Sequence, residues 1–155
     1  MRIVSGKYGG RRLITPKNNA IRPTSDKVRQ AIFNSLQSRG VVQDATVIDA
    51  FCGSGALGIE ALSQWAAHCL FIDKNASSLN LTKENVSMVG AENESDFLMS
   101  DSTKLIARSD KFKPASLVFL DPPYNQNMIS STIEKLIEGN WLLPSCFFVI
   151  ETDKS

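Results

Sequence analysis

Between Thr46 and Gly58 a β-branched apolar run, Thr46-Val47-Ile48-Asp49-Ala50, gives way to Phe51-Cys52-Gly53-Ser54-Gly55-Ala56-Leu57-Gly58. The run is short and apolar, as a buried strand is. The glycines can carry it through a sharp turn into a helix with Ile59, Leu62 and Ala66 on one face. A strand that leaves through glycines brings its backbone close to whatever lies at the turn. This segment constrains the fold more than any other.

The rest of the chain keeps the same alternation. Cys69-Leu70-Phe71-Ile72 is a strand ending at Asp73, followed by a helix capped by Asn75 and stopped by Gly90. Asp96-Phe97-Leu98-Met99 leads to Asp101, and Leu117-Val118-Phe119-Leu120 ends in Asp121-Pro122-Pro123-Tyr124. A helix carrying Ile129, Ile133, Leu136 and Ile137 precedes the last strand, Phe147-Phe148-Val149-Ile150. Alternating strands and helices predict a parallel α/β sheet covered on both faces, with ligands at the carboxyl ends of the strands. Asp49, Asp73, Asp101 and Asp121 all fall there.

Ahead of this core, Tyr8-Gly9-Gly10 between Ile3-Val4 and Arg12-Leu13-Ile14 reads as a small β-hairpin or extended arm. Pro16 and Pro23 keep the connection open. Thr24 or Ser25 caps a helix with Val28, Ile32 and Leu36 on one face, and Gly40 ends it. The segment up to Arg29 carries +7 and the remainder −6, within a net charge of +1. A basic arm on an acidic body suggests a polyanionic partner.

At 155 residues and 43% apolar content the chain fits one domain, a basic arm over 1–23 and a core over 24–155. No apolar run suits a bilayer, and Met1-Arg2-Ile3-Val4-Ser5-Gly6 lacks the apolar stretch of a secretory signal, so a cytoplasmic protein is expected. Cys52, Cys69 and Cys146 form no CxxC pair, which argues against a disulfide framework and a cysteine zinc site; no metal is expected. His68, the only histidine, opens a strand rather than a catalytic relay.

Gly53 to Gly58 spells G-x-G-x-x-G, with Asp73 at the distance of a ribose-binding acid. That pattern alone suits a dinucleotide as well as S-adenosylmethionine (SAM). Asp49 favours SAM: it either orders the loop or meets the cationic methionine amine, whereas a pyrophosphate gains nothing from a carboxylate there. Asp121-Pro122-Pro123-Tyr124 also favours SAM, having no role in hydride transfer. An exocyclic base amine is a poor nucleophile because its lone pair is delocalised. The Asp121 carboxylate and Pro122 carbonyl can bind both amine hydrogens and free the lone pair. Prolines stiffen the turn, and Tyr124 offers a face for stacking an extruded base.

Together with Arg22-Pro23-Thr24-Ser25-Asp26-Lys27-Val28-Arg29-Gln30-Ala31-Ile32-Phe33-Asn34, these motifs resemble the bacterial RsmD family of 16S rRNA guanine-N(2) methyltransferases, over nearly the whole chain. The resemblance implies a Rossmann-like, class I SAM-dependent methyltransferase sheet. It implies a SAM site of Asp49, Phe51, Gly53, Ser54, Gly55, Gly58, Asp73 and Lys74, with Asp101 and Ser102 beside adenine and Arg22 and Thr24 closing over it. Asp121, Pro122, Pro123 and Tyr124 would receive guanine, and Lys7, Arg11 and Arg12 would meet 16S rRNA in the small ribosomal subunit. Such folds usually continue past the fifth strand with a helix and a β-hairpin. Without that hairpin the last strand would be an exposed edge, which predicts dimerisation through it. Rival readings are a DNA adenine or cytosine amino-methyltransferase, a catalytically weak RNA-binding module and an NAD-binding oxidoreductase.

Overall fold

The computed structural model describes residues 1–16, 25–123 and 126–151. Four helices, α1 (Asp26–Ser38), α2 (Ala56–Ser63), α3 (Ala76–Val89) and α4 (Gln126–Glu138), alternate with five strands, except that only a 3-10 turn (Ser102–Lys104) separates the third strand from the fourth. The strands are β1 (Thr46–Asp49), β2 (His68–Asp73), β3 (Ser95–Met99), β4 (Ala115–Leu120) and β5 (Leu142–Ile150). They form one sheet in the order β3-β2-β1-β4-β5, with every pair parallel. The chain starts at the centre, winds outward to β3, then returns past β1 to β4 and β5. That reversal opens a crevice above the carboxyl ends of β1 and β4.

Alternate strand residues serve opposite faces. Val47, Cys69, Phe71, Leu117 and Phe119 pack with α1, α2 and α3, whereas Ile48, Leu70, Ile72, Val118 and Leu120 pack with Ile129 and Leu136 of α4 and with Trp141. Helix α2 is buried at every position because it lies under the amino-terminal hairpin as well as on the sheet. Ser25 caps α1 by accepting from Val28 N–H, and Asn75 caps α3 by accepting from Ser77 and Ser78.

The hairpin forms around an Arg2–Arg12 bridge. It is docked rather than free: Ile3 and Leu13 lie in the main core. Its turn is fastened to α2, where Glu60 accepts from Val4 N–H at 2.8 Å and Ser5 N–H at 3.1 Å. Glu60 also meets the Arg29 guanidinium at 3.2 Å, with both side chains fully buried. This ion pair corrects the predicted inner face of α1. Val28 is 47% exposed, and Arg29, Phe33 and Leu36 point inward, because Glu60 supplies a buried partner for the guanidinium. On α4, Ile137 likewise falls outside the apolar stripe and is exposed.

Strand β5 is longer than its apolar core predicts. Leu142 pairs with Ala115 and Phe147 with Leu117, so the residues between them bulge out of register. Pro144 sits in that bulge and Ser145 has φ 66°, as an edge strand permits and a central strand would not.

Candidate functional site

The crevice gathers carboxylates from four strands. Asp49 closes β1, Asp73 closes β2, and Asp121 and Glu151 directly follow β4 and β5. Glu151 N–H donates to Leu120 O at 2.9 Å, which ties the last two strand ends together. Asp49 is buried, and its Oδ2 accepts from Gly58 N–H at 3.1 Å. Burial pushes its carboxyl up to about 7, the Gly58 N–H opposes that rise, and the charges of Asp121, Asp73 and Glu151 add to it.

The turn after β1 is held from several sides. Gly53 N–H donates to Asp73 Oδ2 at 3.0 Å, and Asn75 N–H donates to the other Asp73 oxygen at 2.9 Å. Thr82 Oγ1 donates to Gly53 O at 2.7 Å, while Asn85 Nδ2 donates to Ser54 O at 2.9 Å. The three glycines differ in function. Gly53 has φ 56°, and a Cβ there would enter open space, so its backbone is bare on that side. Gly55 has φ 84° at the start of α2, where a Cβ would lie 2.8 Å from Thr82 Cγ2. Gly58 lies inside α2, where a Cβ would come within 2.4 Å of the Phe71 ring, and its absence lets helix and sheet touch.

Phe51 is half-buried against the core on the α4 side, Ser54 is buried, and Lys74 is exposed beside Asp101. Asp101 caps a short 3-10 turn by accepting from Thr103 N–H at 3.0 Å and from its hydroxyl at 2.7 Å. Those bonds, led by the hydroxyl, hold its carboxyl below the usual carboxylate range. Ser102 is buried and donates to Ala50 O at 2.6 Å, pinning this turn to the end of β1. Pro122 is half-buried and Pro123 exposed at the exit of β4. Arg22, Thr24 and Tyr124 lie outside the described residues.

Lys7, Arg11 and Arg12 are exposed on the hairpin. Lys7 Nζ and the Arg11 guanidinium flank the Tyr8 ring at 5.3 and 5.5 Å, and Arg11 also donates to Val89 O at 3.0 Å. Among the described residues there is no cluster of three metal-ligating side chains, and no helix is long and apolar enough to cross a membrane.

A family model described as conserved hypothetical protein 95 matches residues 1–155. The chain belongs to that family, the RsmD family. It is 32% identical over 155 residues to the ribosomal RNA small subunit methyltransferase D of Haemophilus influenzae, covering 99% of this chain and 79% of that one. The enzyme of the same name from Escherichia coli K12 is 34% identical over 153 residues, covering 99% and 75%. The solved structure of Escherichia coli yhhF superposes with a TM-score of 0.84 at 31% identity, covering 99% of this chain and 80% of that one. The family's Rossmann-like methyltransferase fold is the fold described above.

Three site features escape sequence inspection. Glu151 follows the same strand-end rule as the aspartates, so that rule could have found it. Thr82 and Asn85 lie on the buried face of α3, one turn apart, and nothing local to them signals that they hold the glycine turn.

Proposed function

We propose that this chain transfers a methyl group from SAM to the exocyclic N(2) amine of a guanine in 16S rRNA, in the cytoplasm. The observation that carries this reading is the acidic crevice around a glycine turn. Asp49, Asp73, Asp121 and Glu151 converge there, and the Asp49 carboxyl is raised first by its burial and further by these acidic neighbours. Such a crevice suits a ligand bearing a sulfonium and an ammonium and disfavours a dinucleotide pyrophosphate. The bare Gly53 backbone supplies the close approach such a ligand needs. The relatives' names supply the substrate class, small-subunit ribosomal RNA.

In this reading Asp49 faces the methionine amine, Asp73 takes the ribose hydroxyls, and the Asp101–Ser102 turn borders adenine. Phe51, Ser54 and Lys74 complete the surround, and Arg22 and Thr24 close it. SAM supplies a methyl already activated by its sulfonium. The residues after β4 do the remaining work. The Asp121 carboxylate and the Pro122 carbonyl accept the two amine hydrogens, which draws nitrogen toward tetrahedral geometry and frees its lone pair. Asp121 then takes the proton that becomes acidic on transfer. Pro122 and Pro123 hold the acceptors in place, and Tyr124 stacks the extruded guanine. Lys7, Arg11 and Arg12 contact phosphates and anchor the RNA.

Calorimetric titration with SAM and with NADH tests the cofactor. Saturable SAM binding without NADH binding is expected; the reverse would overturn the reading.

A further inference from the structure

At the opposite end of the sheet from the crevice lies a groove of about 480 Å³ between the hairpin, α1 and the end of α2. Its walls carry five carboxamides, Gln30, Asn34, Gln37, Gln43 and Gln64, and one indole, Trp65. Gln30, Asn34 and Gln37 recur at helical spacing along one side of α1. Phe33 and the Val4–Ser5 backbone segment complete the lining.

Two features separate this groove from ordinary polar surface. Part of it is preset: Gln64 Nε2 donates to the buried Glu60 carboxylate at 2.8 Å, and Gln37 Nε2 donates to Gln64 Oε1 at 3.0 Å. The Arg29–Glu60 pair thus orients amides on the groove wall. The second feature is Trp65 itself, which is 55% exposed at a backbone φ of 74°. A left-handed conformation after a helix is glycine's place, and a bulky residue there is strained. An indole held at that position leaves about half of the residue's surface open to the groove and solvent, available to a ligand.

Carboxamides present donor and acceptor together and match the edges of unpaired bases, and an exposed indole is a stacking platform for them. The groove carries no acid on its lining and adjoins the basic turn of the hairpin: Lys7 N–H donates to Ser63 O at 2.9 Å, two residues before Trp65. We infer that this groove takes unstacked bases of a single-stranded RNA segment, a second contact on the substrate remote from the site of methyl transfer. The inference rests on the RNA reading above and adds a sequence-reading surface to the phosphate-binding arm.

The two tryptophans make the test direct, because Trp141 is 2% exposed. In the Trp141→Phe chain, emission comes from Trp65 alone, and 16S rRNA should quench it in step with binding. Trp65→Gly and the double change Asn34→Ala with Gln37→Ala should each weaken RNA binding about tenfold, from the loss of stacking or of base-edge bonds. SAM affinity and the slope of RNA affinity against salt should stay unchanged, because the lost contacts are uncharged. Methyl transfer should show a raised KM at constant kcat, as loss of uniform binding requires. Trp65→Gly should hold or raise the unfolding temperature, which separates recognition from a structural role.

RNA affinity equal in the parent and both variants would overturn the groove and leave the methyltransferase reading intact. Loss of affinity for the assembled subunit with none for naked rRNA would also overturn it, in favour of a ribosomal protein. A parent chain that methylates no RNA and binds none would overturn both readings.

Discussion

The amide of Gly53 lies 3.0 Å from Oδ2 of Asp73, so the turn leaving β1 is tied directly to the end of β2. One carboxylate thereby shapes the backbone beside the proposed ligand and lies where the ribose is proposed to bind. Asp73→Ala should weaken SAM binding roughly tenfold to a hundredfold, the worth of a charge-assisted hydrogen bond of about 1.5–3 kcal/mol. Asp73→Asn keeps an acceptor for the loop and should lose less. Calorimetry on both variants checks the order.

The glycines of the turn should separate by role. Gly55→Val and Gly58→Ala place carbon against Thr82 and Phe71, so both should lower thermal stability through overpacking, by about 1–3 kcal/mol. Gly53→Ala meets no neighbour, and only its left-handed backbone opposes it, by about 1–2 kcal/mol. Its larger effect should be on SAM affinity. Thermal melts with and without SAM distinguish a packing glycine from a ligand-facing one.

Asp49 gives the site a pH dependence. Its carboxyl rises from 3.8 to about 7 on folding, led by burial. The folded chain therefore holds a proton that the unfolded chain has released. The stability this contributes is full below about pH 4 and is lost as pH rises through 7. Asp49→Asn keeps an acceptor for Gly58 N–H and should flatten that part of the stability profile. A cationic amine bound at Asp49 would favour the carboxylate. SAM affinity should then fall up to about tenfold per pH unit below 7 in the parent chain, and less steeply in the variant.

The strand-end aspartates were legible because a buried parallel strand reads as an apolar run and its end is marked by the first charge. The Asn75 cap and the Gly90 stop were legible because both act within one helical turn. Glu60 was not, since its partners Val4, Ser5 and Arg29 come from distant parts of the chain and meet only in three dimensions. For the same reason a docked hairpin read as an arm, and α1 seemed to bury Val28. The G-x-G-x-x-G spacing located the turn but could not divide its glycines, because Gly58 answers to Phe71 on a neighbouring strand.

The buried pair itself should dominate stability. Arg29→Ala leaves the buried Glu60 carboxylate without its cation and should destabilise by about 3–5 kcal/mol, whereas after Glu60→Ala the guanidinium keeps its ion pair with Asp26 and the loss through this pair should be smaller. Glu60→Ala also strips acceptors from Val4 and Ser5 and should release the hairpin. Chemical denaturation gives the energies, and proteolysis within residues 1–16 reports the hairpin.

The proposed reaction is methyl transfer to a guanine amine in small-subunit rRNA. The most direct measurement is transfer of tritiated methyl groups from SAM to purified 16S rRNA and small subunits, followed by nucleoside analysis. The parent chain should deposit label in N(2)-methylguanosine, and Asp121→Ala should reduce that by orders of magnitude at unchanged SAM affinity. Label in methylated adenine or cytosine of duplex DNA, or no transfer to any RNA by a chain that binds SAM, would contradict the account.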